Sequence, residues 1–124
     1  MPSTEHVISD CCIVGGGPAG LMLGYLLARA GLQVVVLEKH ADFLRDFRGD
    51  TIHPSTLEVM HQLGLLDDLL ELPHQRAEKL QAEMGGEEVT MADFSRLPLQ
   101  CRFIAFMPQW DFLSFLAEQS AQFP

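Results

Sequence analysis

A run of eight residues, IVGGGPAG from Ile13 to Gly20, holds four glycines and one proline directly behind an apolar stretch. Glycine weakens strands and helices alike, so a chain clusters it only where the backbone needs room or an uncommon conformation. The preceding residues, His6 to Val14, predict a strand buried on both sides, as in a parallel sheet. The glycines therefore mark the exit from a buried strand.

The residues that follow predict a helix and a second strand. Pro18 to Ala30 forms the helix, because proline suits a first helical turn and Gly31 suits the C-terminal cap. The β-branched run from Gln33 to Leu37 predicts another buried strand. Strand, helix and strand within about thirty residues form a βαβ unit.

Three glycines of this unit have separate steric reasons. Gly15 permits a tight turn, Gly17 lets the backbone approach a pyrophosphate, and Gly20 lets helix and strand pack closely. The first N–H groups of the helix and its dipole then favour a bound anion. The pattern predicts a dinucleotide site, and the alternative is a βαβ turn that has lost its ligand.

An acidic residue stands where such a site needs one. Glu38 ends the second strand, eighteen residues after Gly20. The dinucleotide-binding fold places a carboxylate there on the hydroxyl groups of the adenosine ribose. A carboxylate would repel a 2′-phosphate, so the sequence disfavours NADP at this site.

Composition limits the partners of the chain. The 124 residues carry 8 Lys and Arg against 17 Asp and Glu, a net charge of −9, which argues against nucleic acid and anionic membrane surfaces. The apolar stretches are too short to form a transmembrane segment. Three cysteines form no disulfide framework, and we interpret the adjacent Cys11 and Cys12 as small buried residues of a cytoplasmic protein. The histidines show no metal-binding spacing.

The rest of the chain predicts mixed structure. In chain order we expect a loop at His40–His53, a helix at Pro54–Leu63 closed by Gly64, a helical turn at Leu65–Glu71, a β-hairpin of Lys79–Met84 and Glu88–Phe94, a strand at Arg102–Met107 and a helix at Pro108–Gln122.

Three blocks of the sequence resemble one known family. The segment CCIVGGGPAGLMLGYLLARAGLQVVVLEKH is similar to the N-terminal FAD-binding segment of flavin-dependent monooxygenases of the para-hydroxybenzoate hydroxylase type. The segment RGDTIHPSTLEVMHQLGLLDDL resembles the family's second block, and FMPQWDFLSFLAEQSAQ resembles its third. The resemblance implies FAD as the bound cofactor, with NAD(P)H as a transient co-substrate and no second Rossmann domain.

The resemblance also implies a set of cofactor-binding residues. Gly15, Gly17, Pro18, Ala19 and Gly20 would line the pyrophosphate. Glu38 would hold the ribose, and Lys39 would lie beside the adenosine. Arg48 would reach the flavin side of the cofactor, and Gln109 would add an amide contact. Three of these have simpler alternatives. Lys39 can be a solvated charge, Arg48 a surface ion pair with neighbouring aspartates, and Gln109 an ordinary first residue of a helix.

The resemblance further divides the chain and predicts its fold class. We expect an α/β fold, with an incomplete Rossmann-like FAD-binding βαβ unit, a β-hairpin and mixed-sheet insertion, and a C-terminal helix. The predicted parts are 1–75 for the FAD-binding βαβ segment, 76–107 for the start of a mixed sheet on the substrate side, and 108–124 for a helix returning to the FAD-binding domain. The family pattern continues past Pro124, so we expect a truncated chain.

The predicted function is the FAD-binding part of a monooxygenase that hydroxylates an aromatic or quinone-like substrate with NAD(P)H and dioxygen. This part alone is expected to be inactive, and no catalytic residue can be named. The alternatives are a non-catalytic nucleotide-binding module and a fragment of an NAD-dependent dehydrogenase. If the 124 residues were the whole molecule, we would expect the strand His6–Val14 to pair with another copy or a companion chain that completes the sheet.

Overall fold

The computed structural model describes Thr4, residues 6–39 and residues 50–123, and the chain divides into two compact units. The first unit is Met1–Arg45 with Phe112–Pro124, and the second is Asp46–Asp111. Within the described residues the elements are, in chain order, β1 (Cys11–Val14), α1 (Pro18–Arg29), β2 (Val34–Leu37), β3 (Thr51–Ile52), α2 (Pro54–Gln62), α3 (Leu66–Leu70), β4 (Gln75–Ala77), β5 (Lys79–Met84), β6 (Glu87–Asp93), β7 (Ile104–Phe106) and α4 (Gln109–Ser120).

The first unit contains the predicted βαβ motif. Strands β1 and β2 pair in parallel, with Cys11 opposite Val34 and Val14 opposite Leu37. Helix α1 connects them, so the predicted α/β fold class is confirmed. The Asp10 carboxylate accepts a hydrogen bond from the Gln33 N–H at 2.8 Å. This bond links the residue before β1 to the residue before β2.

The prediction that the first strand is buried on both faces is wrong for the described residues. The strand is shorter than expected, and Ile8, which precedes it, is 94% exposed. Within β1, Ile13 is buried, whereas Cys12 is exposed and Val14 is 85% exposed. Side chains alternate between the faces of a strand, and α1 covers the face to which Ile13 points. The interpretation of Cys12 as a buried residue is therefore wrong as well.

The second unit contains a three-stranded antiparallel sheet in the order β3-β7-β4. Its core includes Leu57 and Met60 of α2 and Leu69 of α3, none of which is exposed. The two outer strands were not predicted: β4 lies in unassigned sequence, and β3 lies in the expected loop His40–His53. Strands of two and three residues carry too little pattern to be found locally, and pairing with β7 defines them.

The predicted β-hairpin is confirmed. Strands β5 and β6 pair antiparallel from Lys79 opposite Asp93 to Met84 opposite Glu87. The turn is Gly85-Gly86, with φ of 62° and 82°, a conformation that glycine adopts without steric cost. Among the described helices of both units, none is long and apolar enough to cross a membrane.

The cysteines differ in accessibility, which yields a test of the fold. Cys12 is exposed, whereas Cys101 is buried. Burial raises the pKa of the Cys101 thiol, an effect that Arg76 opposes and Glu58 reinforces. Because thiolate is the reactive form, we expect a thiol reagent to label Cys12 in the native protein and Cys101 only after unfolding. Peptide mass spectrometry measures both rates, and equal labelling of the two in the native state would contradict the fold.

Candidate nucleotide-binding site

The glycine-rich loop connects the end of β1 to the start of α1. Gly15 follows the strand directly and has φ of +117°, in the region that favours glycine. Its N–H donates a hydrogen bond of 2.7 Å to the Leu37 carbonyl at the end of β2. The loop therefore begins as an extension of the parallel pair.

Close packing between helix and strand explains two further glycines. A Cβ atom added at Gly20 would overlap the Gly15 carbonyl oxygen and lie 3.4 Å from Cγ2 of Ile13. A Cβ atom at Gly24, one turn later, would lie 3.1 Å from Cγ2 of Val36. The interpretation of Gly20 as a close-packing residue is confirmed.

Glu38 lies against the loop. Its Oε2 accepts a hydrogen bond of 2.8 Å from the Gly16 N–H, across 22 positions of sequence. The side chain is half-buried and the loop residue is buried. The acidic residue therefore stands beside the glycine-rich turn, as the sequence predicted.

Within the part of the chain that the structure describes, three backbone donors remain at the start of α1. Pro18 has no N–H, and the first bond of the helix runs from the Leu21 N–H to the Gly17 carbonyl at 2.9 Å. Among the described residues, the N–H groups of Gly17, Ala19 and Gly20 have no partner. They lie at the positive end of the helix dipole, where an anion is stabilised. No side chain of a described residue caps this helix.

The structure brings together most of the predicted site residues. The predicted pyrophosphate-lining set, Gly15, Gly17, Pro18, Ala19 and Gly20, spans the loop and the first turn of α1. Glu38 is bonded to the neighbouring Gly16, and Lys39, the next residue after Glu38, is exposed. Gln109 is the first residue of α4 and is assigned to the second unit. Arg48 lies outside the described residues, so its role stays a prediction.

Sequence reasoning missed one residue of this site. Gly16 was not assigned a role, yet its N–H binds Glu38 and an added Cβ would lie 3.1 Å from Cβ of Glu38. The signal was that Gly16 makes three consecutive glycines, whereas a dinucleotide-binding turn requires glycine only at the positions of Gly15, Gly17 and Gly20. Among the described residues, no three His, Cys, Asp or Glu side chains form a group that could hold a metal ion.

A parallel βαβ unit with a glycine-rich turn, helix-start amides that have no partner among the described residues, and an acidic residue beside the loop is typical of the dinucleotide-binding class of α/β folds. The chain belongs to the FAD binding domain family, whose profile matches residues 9–124. Its relatives include named monooxygenases, which confirms the resemblance to the flavin-dependent monooxygenases.

Three similar proteins illustrate this membership. The chain is 29% identical over 123 residues to 6-methylpretetramide 4-monooxygenase of Streptomyces rimosus, covering 99% of this chain and 29% of the relative. It is 33% identical over 115 residues to rifampicin monooxygenase of Rhodococcus hoagii, covering 93% of this chain and 23% of the relative. The crystal structure of p-nitrophenol 4-monooxygenase from Pseudomonas putida superposes with a TM-score of 0.82 at 27% identity, over 94% of this chain and 30% of that chain.

Proposed function

We propose that this domain binds FAD through the glycine-rich loop, with the diphosphate on the N–H groups of Gly17, Ala19 and Gly20. The observation that carries the proposal is that these three donors share one helix start and have no partner among the described residues. A diphosphate would satisfy them, and the positive end of the helix dipole stabilises an anion locally although the chain carries a net charge of −9. The family favours FAD over the NAD of a dehydrogenase.

The adenosine ribose is proposed to bind Glu38. Its carboxylate lies at the loop, where it can accept a hydrogen bond from a sugar hydroxyl. Lys39 follows it on the exposed side and is proposed to flank the adenosine. Arg48 and Gln109 are proposed to contact the cofactor nearer the flavin, as the family resemblance implies.

Competition experiments test this assignment. FAD binding is measured by calorimetry, and ADP is expected to compete for the site, because it carries the ribose and the diphosphate. FMN, which has one phosphate and no adenosine, is expected to compete poorly. An ADP carrying a 2′-phosphate should bind at least about tenfold more weakly than ADP, because Glu38 repels that group. Equal competition by FMN and ADP would contradict the proposed site.

For the whole protein we propose a flavin-dependent monooxygenase that uses NAD(P)H and dioxygen to hydroxylate an aromatic or quinone-like substrate. Bound FAD would supply the redox chemistry with dioxygen, and this domain would hold its adenosine end. The family membership and the monooxygenase relatives support this activity. Residues 1–75 and 108–124 are proposed to serve the cofactor, and 76–107 the substrate side.

The activity is tested on the protein expressed from its complete reading frame. We expect aromatic compounds to accelerate NAD(P)H oxidation and dioxygen uptake. One atom of isotopically labelled dioxygen should enter the hydroxylated product and the other should leave as water. If the protein oxidises no NAD(P)H with any aromatic or quinone-like compound, the monooxygenase is contradicted and a non-catalytic binding module is favoured.

A further inference from the structure

The glycine-rich loop is bonded to the end of β2 at two successive residues. The Gly15 N–H donates to the Leu37 carbonyl at 2.7 Å, and the Gly16 N–H donates to Oε2 of Glu38 at 2.8 Å. Both bonds lie on the strand side of the loop. The N–H groups of Gly17, Ala19 and Gly20, for which the described residues offer no partner, follow in sequence.

The second bond falls where the loop needs restraint most. Three consecutive glycines have more accessible backbone conformations than any other tripeptide, so ordering them costs the most entropy. The Gly16 N–H is fixed by a side chain from a residue 22 positions away, and the loop residue is buried. A bond to a charged acceptor is among the stronger hydrogen bonds in proteins. It restricts the peptide that precedes the first phosphate-facing donor.

We propose that Glu38 is a positioning residue for the diphosphate cradle, the N–H groups of Gly17, Ala19 and Gly20, in addition to being a sugar contact. By holding Gly16, its carboxylate keeps the cradle in its binding conformation before the ligand arrives. Preorganisation of this kind raises affinity because the ordering cost is met in the free protein. The inference rests on the proposed binding of FAD at this loop.

Inorganic pyrophosphate, a ligand without a sugar, distinguishes three possible roles of Glu38: contact with the ribose, repulsion of anions, and positioning of the loop. If Glu38 only contacts ribose, then replacing it leaves the affinity for inorganic pyrophosphate unchanged. If its charge only repels anions, then replacing it raises that affinity. If it positions the loop, then loss of the side chain lowers that affinity although a negative charge has been removed. The three roles therefore predict three different directions.

The experiment compares Glu38→Ala with Glu38→Gln in the whole chain. Glutamine keeps a carbonyl oxygen that can accept the Gly16 N–H, whereas alanine removes the acceptor. Pyrophosphate affinity is measured by NMR titration of the loop amides, and we expect Glu38→Ala to bind about five- to tenfold more weakly than wild type. Glu38→Gln should bind within about twofold of wild type or more tightly. Glu118→Ala, at an exposed position of α4, makes the same charge change and corrects for it.

Hydrogen exchange of the Gly16 amide is measured on the same samples. We expect slow exchange in wild type and in Glu38→Gln, and exchange at least about tenfold faster in Glu38→Ala. Thermal unfolding of each variant shows whether the domain remains folded, and recovery of slow exchange in Glu38→Gln separates positioning from a general loss of structure.

The outcomes separate the inference from the function on which it rests. If Glu38→Ala binds pyrophosphate as tightly as wild type, or if its Gly16 amide exchanges as slowly, the positioning role is overturned while FAD binding by wild type still stands. If wild type binds neither pyrophosphate nor FAD, both the positioning role and the proposed function are overturned.

Discussion

Replacing Gly20 by alanine is expected to abolish measurable FAD binding and to lower the free energy of unfolding by about 2 kcal/mol. The added methyl group would overlap the Gly15 carbonyl oxygen, and backbone cannot move aside as the end of a flexible side chain can. Helix α1 would have to shift away from β1, which displaces the donors at its start. The higher helix propensity of alanine offsets about 1 kcal/mol of this cost at most.

Denaturant unfolding and calorimetry measure these two effects. Gly17→Ala is the matched control for stability, because an added Cβ at Gly17 meets no atom within 4 Å and its φ of −80° suits any residue. It should change the unfolding free energy by less than about 1 kcal/mol. If Gly20→Ala and wild type have the same midpoint of denaturant unfolding, the close packing at this position is not needed for stability.

Replacing Leu57 by alanine is expected to lower the free energy of unfolding by about 2–5 kcal/mol. Leu57 has no exposed surface and belongs to the core of the second unit, with Met60 and Leu69. Alanine leaves a cavity and removes apolar contacts, because a packed core relaxes only partly around a deletion.

The matched control lies two residues away on the same helix. Val59 is 40% exposed, so Val59→Ala should cost less than about 1 kcal/mol. Both variants are compared by denaturant unfolding followed by circular dichroism. A cost for Leu57→Ala no larger than that for Val59→Ala would contradict the packing of α2 described above.

The βαβ unit with its glycine-rich turn could be predicted from local sequence. The order of β1, α1 and β2 and the position of Glu38 at the loop follow from strand and helix periodicity and from backbone sterics, which act within about thirty residues. The two short strands β3 and β4 did not follow, because within the described residues they pair with β7 alone and a few residues carry no period of their own.

The burial of β1, in contrast, depends on which elements pack against the strand. Continuous apolar residues predicted a strand covered on both faces, but Val14 is exposed because α1 covers only the opposite face in the described residues. An apolar run shows that a strand can be buried on both faces, whereas the neighbouring elements determine which face is covered.

By itself, the sequence determined the βαβ unit, the turn that exposes helix amides and the acidic residue at the end of the second strand, because each depends on local geometry. Only the tertiary structure decided that Gly16 and Glu38 bond to each other and that the N–H of Gly15 is bonded to Leu37. It also decided that, among the described residues, three N–H groups at the start of α1 have no partner. A hydrogen bond between residues 22 positions apart depends on the packing of strand against strand, which no local pattern records.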